Sequence, residues 1–113
     1  MHEYAVTESI LGIVLDEAAK AGASSVEAVT VVLGELSTIV DKSIGFYFEA
    51  LSRGTIAEGA SLVFDRVQAS ALCLDCGNCF RPRHAFFACP GCGSLAFQLE
   101  AGQEAYVESI EAT

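Results

Sequence analysis

Apolar residues recur at Leu11, Val14, Leu15 and Ala18, spaced i, i+3, i+4 and i+7, while Ser9, Asp16 and Lys20 fall opposite them. That period predicts an amphipathic helix over about Thr7 to Ala21, ended at Gly22. From Val26 to Leu33 the pattern changes to a β-branched run, with Val29, Val31 and Leu33 on one face and Ala28, Thr30 and Val32 on the other. Apolar residues on both faces predict a central strand covered on each side. A second helical period places Ile44, Tyr47, Phe48 and Leu51 on one stripe, over about Lys42 to Arg53. Asp41 is its expected cap, Gly54 its stop, and Glu49 stands four residues before Arg53 on the exposed side. A further strand, Ser61 to Ala69, leads into Cys73; later strands are expected at Leu95–Glu100 and Ala105–Ile110, joined through Ala101-Gly102-Gln103. The pattern predicts an α+β fold, a small mixed sheet with two helices. Residues 1–70 and 95–113 form this α/β domain, and 71–94 an inserted module.

The inserted stretch carries the chemistry. Four of the five cysteines stand as two knuckles, Cys73-Leu74-Asp75-Cys76 and Cys89-Pro90-Gly91-Cys92. Each knuckle can offer two thiolates to one ion, and two pairs close a tetrahedron of the kind Zn²⁺ takes in structural sites. A glycine follows each pair, Gly77 and Gly93, where positive φ lets backbone N–H groups turn toward the sulfurs. The reading is a zinc-ribbon-like module with an all-cysteine site of four thiolates. A closed site of this kind says how the segment folds, not what the protein does. Cys79 is left over; it reads as a free thiol near the metal, or as a replacement ligand for Cys76.

Disulfides are the competing reading of these cysteines. The start, Met-His-Glu, carries no basic segment and no apolar h-region, so a reducing, cytoplasmic setting is expected and metal ligation is favoured there. The strongly apolar stretch Ile10–Leu15 is far too short to span a bilayer.

Charge narrows the partners. The chain of 113 residues has a formal net charge of −9. Four thiolates around one Zn²⁺ take it to about −11. Such a field opposes binding to nucleic acid, the usual first guess for a zinc ribbon. Arg81 and Arg83, with Phe80, Phe86 and Phe87, form one local basic-aromatic stretch, whose rings are expected to pack the ribbon. A protein partner with a basic face is the better expectation. No phosphate loop and no Ser/His/Asp set is present, so no enzymatic activity is expected.

One anomaly remains, at the extreme N-terminus. His2 is one of two histidines and follows the initiator directly. Its large side chain is expected to block removal of Met1. The amine, the His2 backbone nitrogen and the imidazole can then close fused chelate rings on Ni²⁺ or Cu²⁺, which favour square-planar or tetragonal nitrogen sites. Glu3 can add a backbone nitrogen or its carboxylate.

Met1-His2-Glu3-Tyr4, Gly34-Glu35-Leu36-Ser37, Phe46-Tyr47-Phe48-Glu49, Glu58-Gly59-Ala60, both knuckles with their glycines, and the closing Tyr106-Val107-Glu108-Ser109-Ile110-Glu111 stand out along the chain. In these segments the chain resembles the HypA/HybF nickel metallochaperone family. The resemblance covers essentially the whole chain in the right order. What it implies is a carrier of Ni²⁺ for [NiFe]-hydrogenase maturation that works with a HypB-type GTPase towards the hydrogenase large subunit; some members also serve urease maturation. It further implies His2 as the nickel ligand, with Met1 and Glu3 backbone groups, and Cys73, Cys76, Cys89 and Cys92 as zinc ligands. His84, between the knuckles, is a supplementary candidate for nickel. Two other readings stay open. One is a zinc-ribbon adaptor that transfers no nickel; the other is a thiol oxidoreductase using Cys76 and Cys79.

Overall fold

A computed structural model describes residues 2–82 and 88–113, His2 by its backbone alone. Helix α1 (His2–Lys20) is followed by β1 (Val26–Gly34), α2 (Asp41–Leu51), β2 (Ser61–Val67), β3 (Ser70–Cys73), β4 (Cys79–Phe80), β5 (Phe97–Ala101) and β6 (Ala105–Ala112). The strands form two three-stranded sheets, ordered β2-β1-β6 and β4-β3-β5. The fold is α+β, as the periodicity predicts. Two compact units are present: Met1–Val32, Thr38–Asp65 and Ala105–Thr113 make the first, Leu33–Ser37 and Arg66–Glu104 the second.

In the first unit, α1 buries Ile10, Leu11, Val14 and Ala18. It begins five residues earlier than its apolar period. The edge-on contact of Tyr4 with Tyr47, centroids 5.3 Å apart, holds the added turn, and the Glu3 carboxylate accepts the Val40 N–H at 3.3 Å. At the other end Gly22 (φ 68°) closes a Schellman motif, with Ala23 N–H on the Ala18 carbonyl and Gly22 N–H on that of Ala19. Helix α2 turns Ile44 and Phe48 inward, each burial contributing about 2–3 kcal/mol. Its cap differs from the expectation. Val40 occupies the N-cap with extended backbone and no side-chain bond, while Asp41 stands inside the first turn and accepts the Lys42 N–H at 2.8 Å. Strand β1 is central in its sheet, with Val29, Val31 and Leu33 fully buried.

The second unit departs from the sequence reading in two ways. The run Ser61–Ala69 is not one strand: Ala69 gives its N–H to the Glu35 carboxylate at 2.7 Å, and pairing resumes as β3. And β5 pairs with β3, Leu72 opposite Gln98 and Cys73 opposite Phe97, so residues 97–101 belong to the sheet that carries the knuckles. Gly34 and Gly102 meet in this unit. A Cβ at Gly34 would lie 2.1 Å from the Gly102 carbonyl carbon and oxygen and 2.6 Å from the Gln103 nitrogen. Backbone cannot rotate away as a side chain can, so Gly34→Ala is expected to destabilise by about 2–4 kcal/mol, read as a lower denaturant midpoint.

Candidate metal centres

Local turns build the four-sulfur cluster. Each knuckle reverses at its glycine, Gly77 at φ 74° and Gly93 at φ 75°, a region closed to most side chains. The glycine N–H groups themselves go to carbonyls, Gly77 to Cys73 at 3.0 Å and Gly93 to Cys89 at 2.7 Å. The residues around them serve the sulfurs. Cys73 Sγ accepts the Cys76 N–H at 3.5 Å, and Cys89 Sγ accepts the Gly91 N–H at 3.3 Å and the Asn78 amide at 3.8 Å. Beyond each glycine, Asn78 and Ser94 turn their N–H groups to Cys76 and Cys92. The Ser94 hydroxyl also bonds the Asp75 carboxylate, tying one knuckle to the other.

The cluster closes through Cys73–Cys92 and Cys76–Cys89, both 3.6 Å between sulfurs, and all four ligand atoms lie within 4.8 Å of one another. A tetrahedron with Zn–S bonds of about 2.3 Å has an edge of about 3.8 Å, so the sulfurs are spaced for this ion. Cys73 and Cys89 are buried in a small core with Ala71 and Phe80, against which Phe97 and Leu99 pack; Cys76 and Cys92 face solvent. Phe80 and Phe97 meet edge-on at 5.9 Å. The donor set and its spacing fit structural zinc.

Electrostatics give the cluster its pH response. Cys73 is held below the ordinary thiol range by the N–H of Cys76, then that of Asp75, acting against burial. Burial raises Cys89, but the N–H groups of Gly91 and Cys92 and the Asn78 amide outweigh it and bring the thiol down to about 6. Asn78 N–H favours the Cys76 thiolate, yet the sulfurs of Cys89 and Cys73 with burial push that thiol up. Ser94 N–H does the same for Cys92, which Cys73, burial, Cys76 and Cys89 nevertheless raise to about 12. Two thiols are therefore held below the ordinary thiol range and two above it. Zinc uptake at neutral pH must release protons, so affinity falls as pH falls. A chelator competition from pH 8 to about 5.5 is expected to show progressively easier zinc removal, steepening as Cys89 protonates near its value of about 6. Proton release measured on zinc addition checks the same point.

Cys79 stands outside the cluster. It is exposed on β4 opposite Leu72, among the free cysteines. Arg81, read as part of a basic-aromatic stretch, faces the Glu35 carboxylate at 3.6 Å. Arg83, His84, Phe86 and Phe87 lie outside the described residues, as does Met1. His2 opens α1. The Glu3 carboxylate is held below the usual range by its own backbone N–H first and by the Val40 N–H as well. Sequence reasoning did not identify Val40 as the residue that ties down Glu3; the two are 37 positions apart, and no local pattern marks the contact.

A helix-and-sheet unit together with a closed four-sulfur ribbon defines a small metal-handling protein in which the resident ion is structural. A family profile described as "Hydrogenase/urease nickel incorporation, metallochaperone, hypA" matches residues 1–112, and the chain belongs to that family. Among its relatives, the hydrogenase maturation factor HypA of Caldanaerobacter subterraneus is 44% identical over 112 residues, covering 98% of each chain. The factor of the same name from Pyrococcus furiosus is 38% identical, covering 97% of this chain and 94% of its own. In solved structures, the solution structure of the nickel metallochaperone HypA from Helicobacter pylori superposes with a TM-score of 0.68 at 25% identity, covering 97% of this chain and 96% of that one. A second HypA solution structure gives 0.75 at 27% identity, covering 100% and 97%.

Proposed function

We propose that the chain binds Ni²⁺ at its N-terminus and delivers it for [NiFe]-hydrogenase maturation, with Zn²⁺ held by Cys73, Cys76, Cys89 and Cys92 as a structural ion and no chemical step of its own. The carrying observation is the match over residues 1–112 to a nickel-incorporation family by a chain that opens Met1-His2-Glu3. The His2 imidazole, its backbone nitrogen and the Met1 amine are the nickel donors, with Glu3 adding a backbone nitrogen. The Glu3 carboxylate has a separate task, holding the Val40 N–H. A helix's first N–H groups have no carbonyl one turn behind them, so nitrogens there can be given to a metal without breaking the helical ladder.

Carrier physics supports dividing the two metals this way. Cargo at a chain end exchanges without unfolding, whereas a resident ion belongs in a closed tetrathiolate. Copper would outcompete nickel at the same nitrogens, so selectivity must come from docking and metal availability. The partners under this reading are a HypB-type GTPase and the hydrogenase large subunit, with urease maturation proteins a further client, in the cytoplasm. No helix among the described residues is long and apolar enough to cross a membrane. The test is calorimetric Ni²⁺ titration of zinc-loaded protein with its native N-terminus, alongside metal analysis. One nickel bound beside a retained zinc supports the carrier; zinc alone, with no nickel uptake, leaves the adaptor reading.

GTPase binding is expected to be electrostatic. The first unit has eleven acidic and three basic side chains, a net −8 that holds most of the chain's −9. Glu8 is exposed on α1, whereas Asp16 already pairs with Lys20 at 3.3 Å. Affinity for the GTPase should fall several-fold as ionic strength rises from about 0.05 to 0.5 M. Salt-independent binding would contradict this account of the interface.

A further inference from the structure

Helix α2 presents an aromatic residue to solvent that its core packing does not require. Ile44 and Phe48 fill the interior at 0% and 2% exposure, while Phe46, two positions from each, is 70% exposed. Two positions correspond to about 200° around a helix axis, so Phe46 points away from the core. It is not an isolated ring. Phe46 meets Tyr47 at 5.5 Å and 72°, and Tyr47 meets Tyr4 of α1 at 5.3 Å and 86°. Tyr4 is itself 45% exposed, and Val40, tied to α1 through Glu3, is 50% exposed. The result is a row of three rings running from the first turn of α1 to the middle of α2, all within the first unit. Contiguous exposed patches of this kind mark interaction sites, whereas scattered single residues do not.

The surroundings select the occupant. Glu8 follows Tyr4 by one turn, Glu49 follows Phe46 by three residues and pairs with Arg53 at 3.9 Å, and Glu3 and Asp41 flank Tyr4 and Val40 in sequence, with Lys42 next to Asp41. A second copy of the chain would bring a second unit of net −8 against the first, and an anionic lipid surface or nucleic acid would be repelled likewise. We propose that the row Phe46–Tyr47–Tyr4, with Val40 beside it, is the docking face for a protein partner that presents an apolar side chain ringed by lysine or arginine. Aromatic anchors supply affinity at the centre of such a contact and the acidic rim sets orientation and approach. The assignment rests on the carrier reading above, whose GTPase is the natural occupant.

The test uses the full zinc-loaded chain and the HypB-type GTPase as probe. Phe46→Ser is expected to weaken GTPase binding at least about tenfold. It should leave helical circular dichroism, zinc content and nickel titration unchanged. Val63→Ser, which alters a side chain 50% exposed on β2 of the same unit, should bind as wild type does. Glu49→Lys should weaken binding and flatten its salt dependence. Equal affinity for wild type and Phe46→Ser overturns the docking face and leaves the carrier reading intact. Failure of the wild type to bind the GTPase overturns the partner reading and this assignment together. Dimerisation of the wild type that Phe46→Ser abolishes overturns the choice of occupant in favour of a second copy.

Discussion

His2→Ala, or any extension placed before Met1, is expected to abolish specific nickel binding and hydrogenase maturation while zinc content and thermal stability stay almost unchanged. Substitution removes the imidazole, and with it the ring that an imidazole closes with the backbone nitrogen of the same residue. Extension turns the amine into an amide and breaks the first ring, although every side chain remains in place. Both alterations act at the first turn of α1, ahead of the buried positions Ile10, Leu11, Val14 and Ala18. The stability change should therefore lie within about ±0.5 kcal/mol, as for an ordinary surface change. Calorimetric Ni²⁺ titration of wild type, His2→Ala and an N-terminally extended form side by side is the decisive measurement. Equal affinity in all three would place the nickel site elsewhere, and the adaptor reading would gain.

Loss of one zinc ligand should have the largest effect on the fold, and the damage should be confined. In Cys73→Ser a hydroxyl replaces a thiolate that lies at 1% exposure in the core of the second unit. That core is small: of its four buried members, Ala71, Cys73, Phe80 and Cys89, two are themselves members of the sulfur cluster. Structural zinc in comparable small modules contributes about 10–16 kcal/mol, far more than this apolar cluster can supply without it. We expect zinc content to fall from one per chain to near zero and the β3–β4–β5 sheet to lose its order. Both helices belong to the first unit, so most of the helical circular dichroism should persist. Cys79→Ser serves as the control, since Cys79 lies outside the four-sulfur group, and its zinc content should match wild type. Retention of one zinc by Cys73→Ser would refute the ligand assignment. Zinc loss by Cys79→Ser would show that the fifth sulfur ligates after all.

Much of this chain was legible because its signals are local. The helical stripe from Leu11 to Ala18, the β-branched run at 26–33 and the inward residues of α2 each report a period that the backbone imposes within a few turns. The knuckles were equally plain, because Cys-x-x-Cys followed by glycine specifies its own turn, and Gly77 and Gly93 do adopt positive φ. The sequence by itself thus determined both helices, the central strand, the four sulfurs and the class of ion they suit.

Tertiary structure decided what depends on groups far apart along the chain. Nothing near His2 says that the helix should start there; Tyr47 and Val40 do so, from about 40 residues away. Nothing near Ala69 marks a break between strands, since its N–H is claimed by Glu35, 34 positions earlier. Strand β5 looks the same in sequence whichever sheet it joins, and only pairing with β3 places it beside the sulfurs. Among the thiols, Cys89 is brought down to about 6 largely by N–H groups of its own knuckle, but Cys92 is raised to about 12 by Cys73 of the other knuckle first, a sulfur 19 positions away. Periodicity fixes which face of an element is apolar, but long-range hydrogen bonds and shared charge fix where that element ends, what it pairs with and which of its groups ionise.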